Sequence, residues 1–269
     1  MDAAMIVRRV RALSGITRKE LAGLAGLAPS TVGRIERGML DPTWGTLSRI
    51  LEATGYRISG DSIVSAGDTA AIRAARPVLE SRLGRAPKVG STAIREADRD
   101  RRSHAEEWLA RWARAGWLSD QADADAVVAL AVSAGNAAKI TRRNVARGAV
   151  AAEDGWQALA RRLGEAGIEY AVSGLVAARD DRVMAAAANP VIYVDDPRGV
   201  MDRLELDEVA PGSGVLLIAP DDDGPAQGDM EGGIRFVSRA QGVLDAFAGP
   251  GREPDKAEEM LRGLLTVGV

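Results

Sequence analysis

The chain has 269 residues, too many for one small module, and 46% of them are hydrophobic, enough for more than one core. It contains no cysteine, which excludes a disulfide framework, thiolate metal sites and a cysteine nucleophile. No apolar run approaches the ~20 residues of a membrane helix, so a cytoplasmic protein with no membrane partner and no cofactor is expected. The net charge of −3 is unevenly spread: residues 1–60 hold nine Lys/Arg against five Asp/Glu, residues 61–152 fifteen against eleven, and residues 153–269 eleven against twenty-two. The first half suits a polyanion and the last part does not.

Residues 1–60 divide into four short helices. The first covers about Ala3–Leu13, with Met5, Ile6, Val10 and Leu13 at helical spacing, and Ser14-Gly15 ends it. Thr17 followed three residues later by Glu20 is a capping box that starts the second helix, which Gly26 closes. A third helix runs from about Pro29 to Arg37 and stops at Gly38. Pro42 and Thr43 open the fourth, which carries Leu47, Ile50 and Leu51 as far as Gly55.

The words Thr17-Arg-Lys-Glu-Leu-Ala, Leu27-Ala-Pro-Ser-Thr-Val-Gly-Arg-Ile-Glu-Arg-Gly38 and Asp41-Pro-Thr, in this order and spacing, closely resemble the Xre/Cro/lambda-repressor family of helix-turn-helix domains over residues 4–58. The resemblance implies that the third helix enters the major groove of an operator with its N-terminal residues at base edges. It puts Ser30, Thr31, Gly33 and Arg34 at the bases, with Arg34 the best reader because a guanidinium bonds guanine O6 and N7 together. Arg18, Lys19 and Arg37 are placed for phosphates, and Val32 and Ile35 for the core. Ala28 supplies no side-chain cap to the third helix, and Gly33 carries no side chain to read a base. A modest reader is therefore expected, working as a homodimer or as an oligomer assembled on DNA.

Residues 61–152 read as a helical middle segment. Asp61–Gly84 is a loop and then a helix with Ile72, Val78, Leu79 and Leu83 apolar. Residues 85–103 are densely charged, including Arg95-Glu-Ala-Asp-Arg-Asp-Arg-Arg102, and fit a linker or a solvated helix. Trp108, Leu109, Trp112 and Trp117 form a stripe on one helix face, expected to pack in a core. Ala122–Ala134 is another apolar helix. Thr141 is placed to cap a basic helix carrying Arg142, Arg143 and Arg147, which offers a second, winged-helix-like DNA contact. His104, the sole histidine, has no partner at metal or triad spacing.

Residues 153–269 alternate between strands and helices, the pattern of a small α/β domain. Trp156–Ala166 is amphipathic; Glu169–Ser173, Pro190–Asp195, Gly214–Pro220 and Gly233–Ser238 are strands; Arg239–Phe247 and Lys256–Leu265 are helices. The expected whole is multi-domain: a mainly α N-terminal half, with a helix-turn-helix of four to five helices and a helical middle, followed by a small α/β C-terminal domain.

Several words in this last part occur in a familiar order: Tyr170-Ala-Val-Ser-Gly174, Ile192-Tyr-Val-Asp-Asp-Pro197, Gly214-Val-Leu-Leu-Ile218, Val237-Ser-Arg-Ala-Gln241 with Asp245, and Ala257-Glu-Glu-Met-Leu261. Over about 153–267 they resemble the C-terminal domain of AbiEi-type antitoxins of type IV toxin–antitoxin systems. That family's usual N-terminus is a winged helix rather than an Xre-like domain. The resemblance implies an autorepressing regulator with a cognate toxin or another basic protein as partner. A small-molecule-sensing repressor is the alternative. An enzyme of nucleotidyltransferase type is disfavoured: Asp195 and Asp196 are adjacent, so on a strand they would point to opposite faces rather than share a metal. Ser173 lacks a nucleophile elbow and a usable histidine.

Overall fold

The computed structural model describes residues 2–84, 96–119, 121–185, 190–222, 225 and 228–267. The chain forms two compact units, one of residues 1–143 with 261–269 and the other of residues 144–260. The expected boundaries at 60/61 and 152/153 do not coincide with this division. Counted by unit, Lys/Arg against Asp/Glu stand at 24 to 16 in the first and 11 to 22 in the second.

In the first unit, α1 (Ala3–Ser14), α2 (Arg18–Ala25), α3 (Pro29–Glu36) and α4 (Trp44–Ala53) follow the capping signals of the sequence. The Asp2 side chain accepts from the Met5 amide, and Gly15 closes α1 in the left-handed conformation at φ 65°. Thr17 and Glu20 form the reciprocal capping box on α2. Thr43 caps α4, whereas Ala28 leaves α3 without a side-chain cap. The apolar faces meet in a core around Val7, Val10, Leu21, Val32, Ile35 and Ile50, each fully buried.

A hairpin follows where a helix end and a loop were expected, with β1 (Tyr56–Ser59) antiparallel to β2 (Ser62–Ser65) across Gly60-Asp61. Then come α5 (Ala70–Arg82), α6 (Glu96–Ala115) and α7 (Ala124–Ala137). Residues 85–95 of the charged stretch lie outside the described residues, and 96–103 are helical.

The three tryptophans of the expected stripe pack as core, with Trp117 past the end of α6, while Leu109 is half-buried. Trp108, Trp112 and Trp117 are buried, and each indole N–H has an acceptor: Asp68 Oδ2 at 2.8 Å, Ser133 Oγ at 3.1 Å and Glu20 Oε1 at 3.3 Å. Helix α6 lies against α2 so closely that a Cβ on Gly23 would sit 2.9 Å from the Arg114 carbonyl oxygen. The Arg114 guanidinium donates to the Gly23 and Leu24 carbonyls at 3.3 and 3.1 Å. It is a second donor for the Gly23 carbonyl, which also accepts the Gly26 amide at 3.1 Å, at the end of α2 where carbonyls run out of intrahelical partners. The four-helix segment is thus continuous in packing with α6.

The second unit is a six-stranded mixed sheet with helices. Its strands are β3 (Arg147–Val150), β4 (Tyr170–Ser173), β5 (Val191–Val194), β6 (Val215–Ile218), β7 (Asp229–Glu231) and β8 (Ile234–Phe236), in the order β3-β6-β5-β4-β8-β7. The helices are α8 (Trp156–Glu165), α9 (Leu175–Ala178), α10 (Pro197–Arg203), α11 (Arg239–Ala248) and α12 (Glu253–Val267), of which Leu261 onward belongs to the first unit. Strands β4 and β5 are buried at every position, as central strands covered on both sides must be. Side chains alternate across a strand. Tyr170 meets Gly164 of α8, while Ser173 bonds Asp245 of α11, so the two helices cover opposite faces of β4.

The expected basic helix over Arg142–Arg147 is absent. Residues Ile140–Arg142 form one 3-10 turn and Arg147 starts β3. Arg147 registers with Ile218 as the first pair of an antiparallel ladder, and that pairing outcompetes a helix across the segment.

Candidate nucleic-acid interface

Helices α2 and α3 meet at the Gly26 turn, whose φ of 62° needs a residue without a Cβ penalty. Val32 and Ile35 are fully buried, which turns the opposite side of α3 to solvent. Ser30 and Arg34 are exposed there, and Thr31 is half-buried. Arg18, Lys19 and Arg37 are exposed as well. Of the seven expected contact residues, these five are exposed and Thr31 is half-buried.

Gly33 is different. It was expected at a base edge, yet it is buried. A Cβ there would lie 3.4 Å from Arg18 Cδ and 3.4 Å from Arg37 Nη1. Two arginine side chains cover the bare backbone at this turn of α3.

The group that organises this surface is not among the expected site residues. Glu36, the last residue of α3, is 3% exposed. Its Oε1 accepts from Arg11 Nε at 2.6 Å and its Oε2 from Arg18 Nε at 2.8 Å, while Arg8 Nη1 donates to its backbone carbonyl at 2.9 Å. Burial alone pushes the Glu36 carboxyl up. The bonds and positive charge of Arg11 and Arg18 outweigh that and hold it below the ordinary carboxylate range. Arg18 therefore has an internal partner as well as an open side: its side chain stays 45% exposed. The one signal in the sequence is the helical spacing that aligns Arg8 and Arg11 on α1, but nothing local ties them to residue 36.

Two large apolar side chains of this domain are also exposed. Met39 is 65% and Trp44 68% exposed, and the Arg37 guanidinium lies 3.4 Å from the Met39 sulfur.

The second candidate contact does not assemble as expected. Arg143 is buried and donates through Nε to the Ala138 carbonyl at 3.0 Å, so it closes the end of α7 instead of facing a groove. Arg142 and Arg147 are exposed but belong to different units.

In the second unit, Ser173 is wholly buried and donates to Asp245 Oδ2 at 2.5 Å. Tyr193 OH donates to the same carboxylate at 2.9 Å and Gln241 Nε2 at 2.9 Å. A carboxylate in the core is thus satisfied by neutral donors from β4, β5 and α11. Asp195 and Asp196 follow β5 and are exposed, and Asp196 caps α10 by accepting the Gly199 amide at 3.0 Å. His104 is exposed on α6. Among the described residues, no three His, Cys, Asp or Glu side chains are grouped to hold a metal ion, and no helix is long and apolar enough to cross a membrane.

Residues 7–60 match a protein-family model described as helix-turn-helix. No curated protein and no solved structure matches the chain. With α2, the Gly26 turn and α3 in place over these residues, the chain carries an N-terminal helix-turn-helix domain of the kind that DNA-binding transcriptional regulators use.

Proposed function

We propose that the protein is a sequence-specific repressor whose first unit reads an operator and whose second unit engages a protein partner. The observation that carries the DNA reading is the two-sided recognition helix: Val32 and Ile35 wholly buried, Ser30 and Arg34 open, and Arg18, Lys19 and Arg37 around them. Arg34 supplies base discrimination and the flanking cations supply the phosphate contacts. Without a cap on α3 and with a glycine within it, one copy binds modestly, and a homodimer reaching half-sites ~34 Å apart regains affinity.

The finer role we assign is autorepressing antitoxin. Two things support it: the resemblance of residues 153–267 to AbiEi-type antitoxins, and the second unit's 11 Lys/Arg against 22 Asp/Glu, a charge suited to a basic toxin. The sensor alternative has less support. Two cavities of the second unit have volumes of about 110 and 220 Å³, below the ~300 Å³ at which ligand pockets begin.

Selection of duplexes from a random-sequence pool by the full chain, followed by footprinting, tests the DNA reading. Failure to enrich any sequence sinks it. Co-expression with the neighbouring gene tests the antitoxin role, which is lost if neither growth nor transcription of the operon responds.

A further inference from the structure

We propose that Arg18 and Arg37 share a single DNA phosphate, in a seat that exists because residue 33 is glycine and because Glu36 holds Arg18 in place. This rests on the DNA reading above and adds to it the stoichiometry of phosphate binding and the roles of Gly33 and Glu36.

The two arginines come from different helices, α2 and the end of α3, yet both lie against one backbone position. Arg18 Cδ and Arg37 Nη1 are each 3.4 Å from the point a Cβ on Gly33 would occupy, and Arg18 Nε is 3.6 Å from it. That point is already in van der Waals contact on two sides. A methyl group would fit, whereas a longer side chain would occupy the space of the guanidiniums and drive them apart. Two like charges do not converge on a neutral backbone without a cause. For Arg18 the cause is Glu36, whose Oε2 takes Nε at 2.8 Å. For Arg37 it is the Met39 sulfur at 3.4 Å from Nε. In each case the internal partner uses Nε. Both side chains are exposed on the face where Ser30 and Arg34 also open. Two guanidiniums so arranged match a tetrahedral anion, each giving N–H groups to different oxygens. The buried carboxylate keeps the net charge of the cluster low enough to persist before the anion arrives.

Glu36 is a positioning residue and Gly33 a selector: both act through the arginines. Gly33 then has a role opposite to base reading. Its lack of a side chain lets its neighbours reach the phosphate, and sequence discrimination at this turn falls to Arg34.

The test is the salt dependence of binding to one duplex recovered from the random-sequence selection, measured for the full chain and for Arg18→Ala, Arg37→Ala, the double variant and Gly33→Leu. The slope of log K against log salt falls by about 0.9 for each phosphate that is no longer neutralised. A shared seat predicts a fall of about 0.9 for the double variant and a similar fall for Gly33→Leu. A fall of about 1.8 in the double variant means two separate phosphates and overturns the proposal, as does an unchanged slope. Melting of each variant is measured first. The double variant removes the Arg18 bond to Glu36 but leaves that carboxylate paired with Arg11 at 2.6 Å, so it remains readable even if Gly33→Leu melts early. If the unaltered chain enriches no duplex, the DNA reading itself fails; if it binds and the slopes disagree, only the shared seat fails.

Discussion

Glu36 Oε2 lies 2.8 Å from Arg18 Nε, which ties the end of the recognition helix to the start of the helix before it. With Arg11 on the other oxygen at 2.6 Å, one nearly buried carboxylate joins three helices.

Removing that charge should weaken the fold. Breaking a buried pair by removing one partner costs about 3–5 kcal/mol. Arg11 and Arg18 are 31% and 45% exposed, so solvent relieves part of it and about 2 kcal/mol is expected for Glu36→Gln. The pH dependence has a definite sign. The folded pKa is depressed, so the stabilisation is whole above the ordinary carboxylate value of 4.5 and disappears as pH falls through the folded value. Denaturant melts from pH 6 to pH 3 should show a steeper acid loss in the unaltered chain than in Glu36→Gln; parallel curves would count against the ion-pair account.

Arg34 and Lys19 should behave differently on DNA. Arg34→Ala should lower affinity for a selected duplex by roughly tenfold or more and relax preference at one base pair, since a bidentate base contact is worth about 1–3 kcal/mol. Lys19→Ala should weaken selected and unselected duplexes alike. Binding isotherms on both duplexes distinguish the two; equal losses from Arg34→Ala would remove it from the bases.

Gly23 gives a test of the α2–α6 packing away from the DNA surface. On helix propensity alone, Gly→Ala should stabilise by up to about 1 kcal/mol. The new Cβ would stand 2.9 Å from the Arg114 carbonyl oxygen and 3.1 Å from Ala115 Cα, which are backbone atoms that cannot swing aside. Overpacking of this kind costs about 1–3 kcal/mol, so net destabilisation is expected in urea titrations. A more stable Gly23→Ala would show that the two helices separate freely.

The Asp245 cluster predicts graded losses. Tyr193→Phe removes one donor and leaves the carboxylate with Ser173 and Gln241, at a cost of about 1 kcal/mol. Asp245→Ala strands several buried donors and opens a cavity, and should cost more than about 3 kcal/mol. Equal effects of the two changes in denaturation would mean that the carboxylate is not the hub.

How much of this was legible in the chain depends on the range of the interaction. The capping box at Thr17 and Glu20, the glycine stops at Gly15 and Gly26, the inward Val32 and Ile35 and the tryptophan stripe follow from spacing within a few residues, and the structure has them as expected. The second unit's main strands were legible for the same reason, being runs of β-branched and aliphatic residues between turn residues. The β1–β2 hairpin had a signal too, a Gly-Asp pair between short alternating runs, but each strand has only four residues.

The rest required partners distant in sequence. Arg143 has the look of a DNA contact until the Ala138 carbonyl claims it, and Arg147 looks helical until Ile218 pairs with it. Gly33 looks like a reader with nothing to read with, until the fold lays Arg18 and Arg37 over it. By itself the sequence determined the helices, the turn between α2 and α3 and the sign of the charge on each part, because caps, periodicity and composition act locally. Which cations are open to solvent and which are held inside was decided only by tertiary structure, because a guanidinium's role is set by whichever acceptor the folded chain brings within about 3 Å.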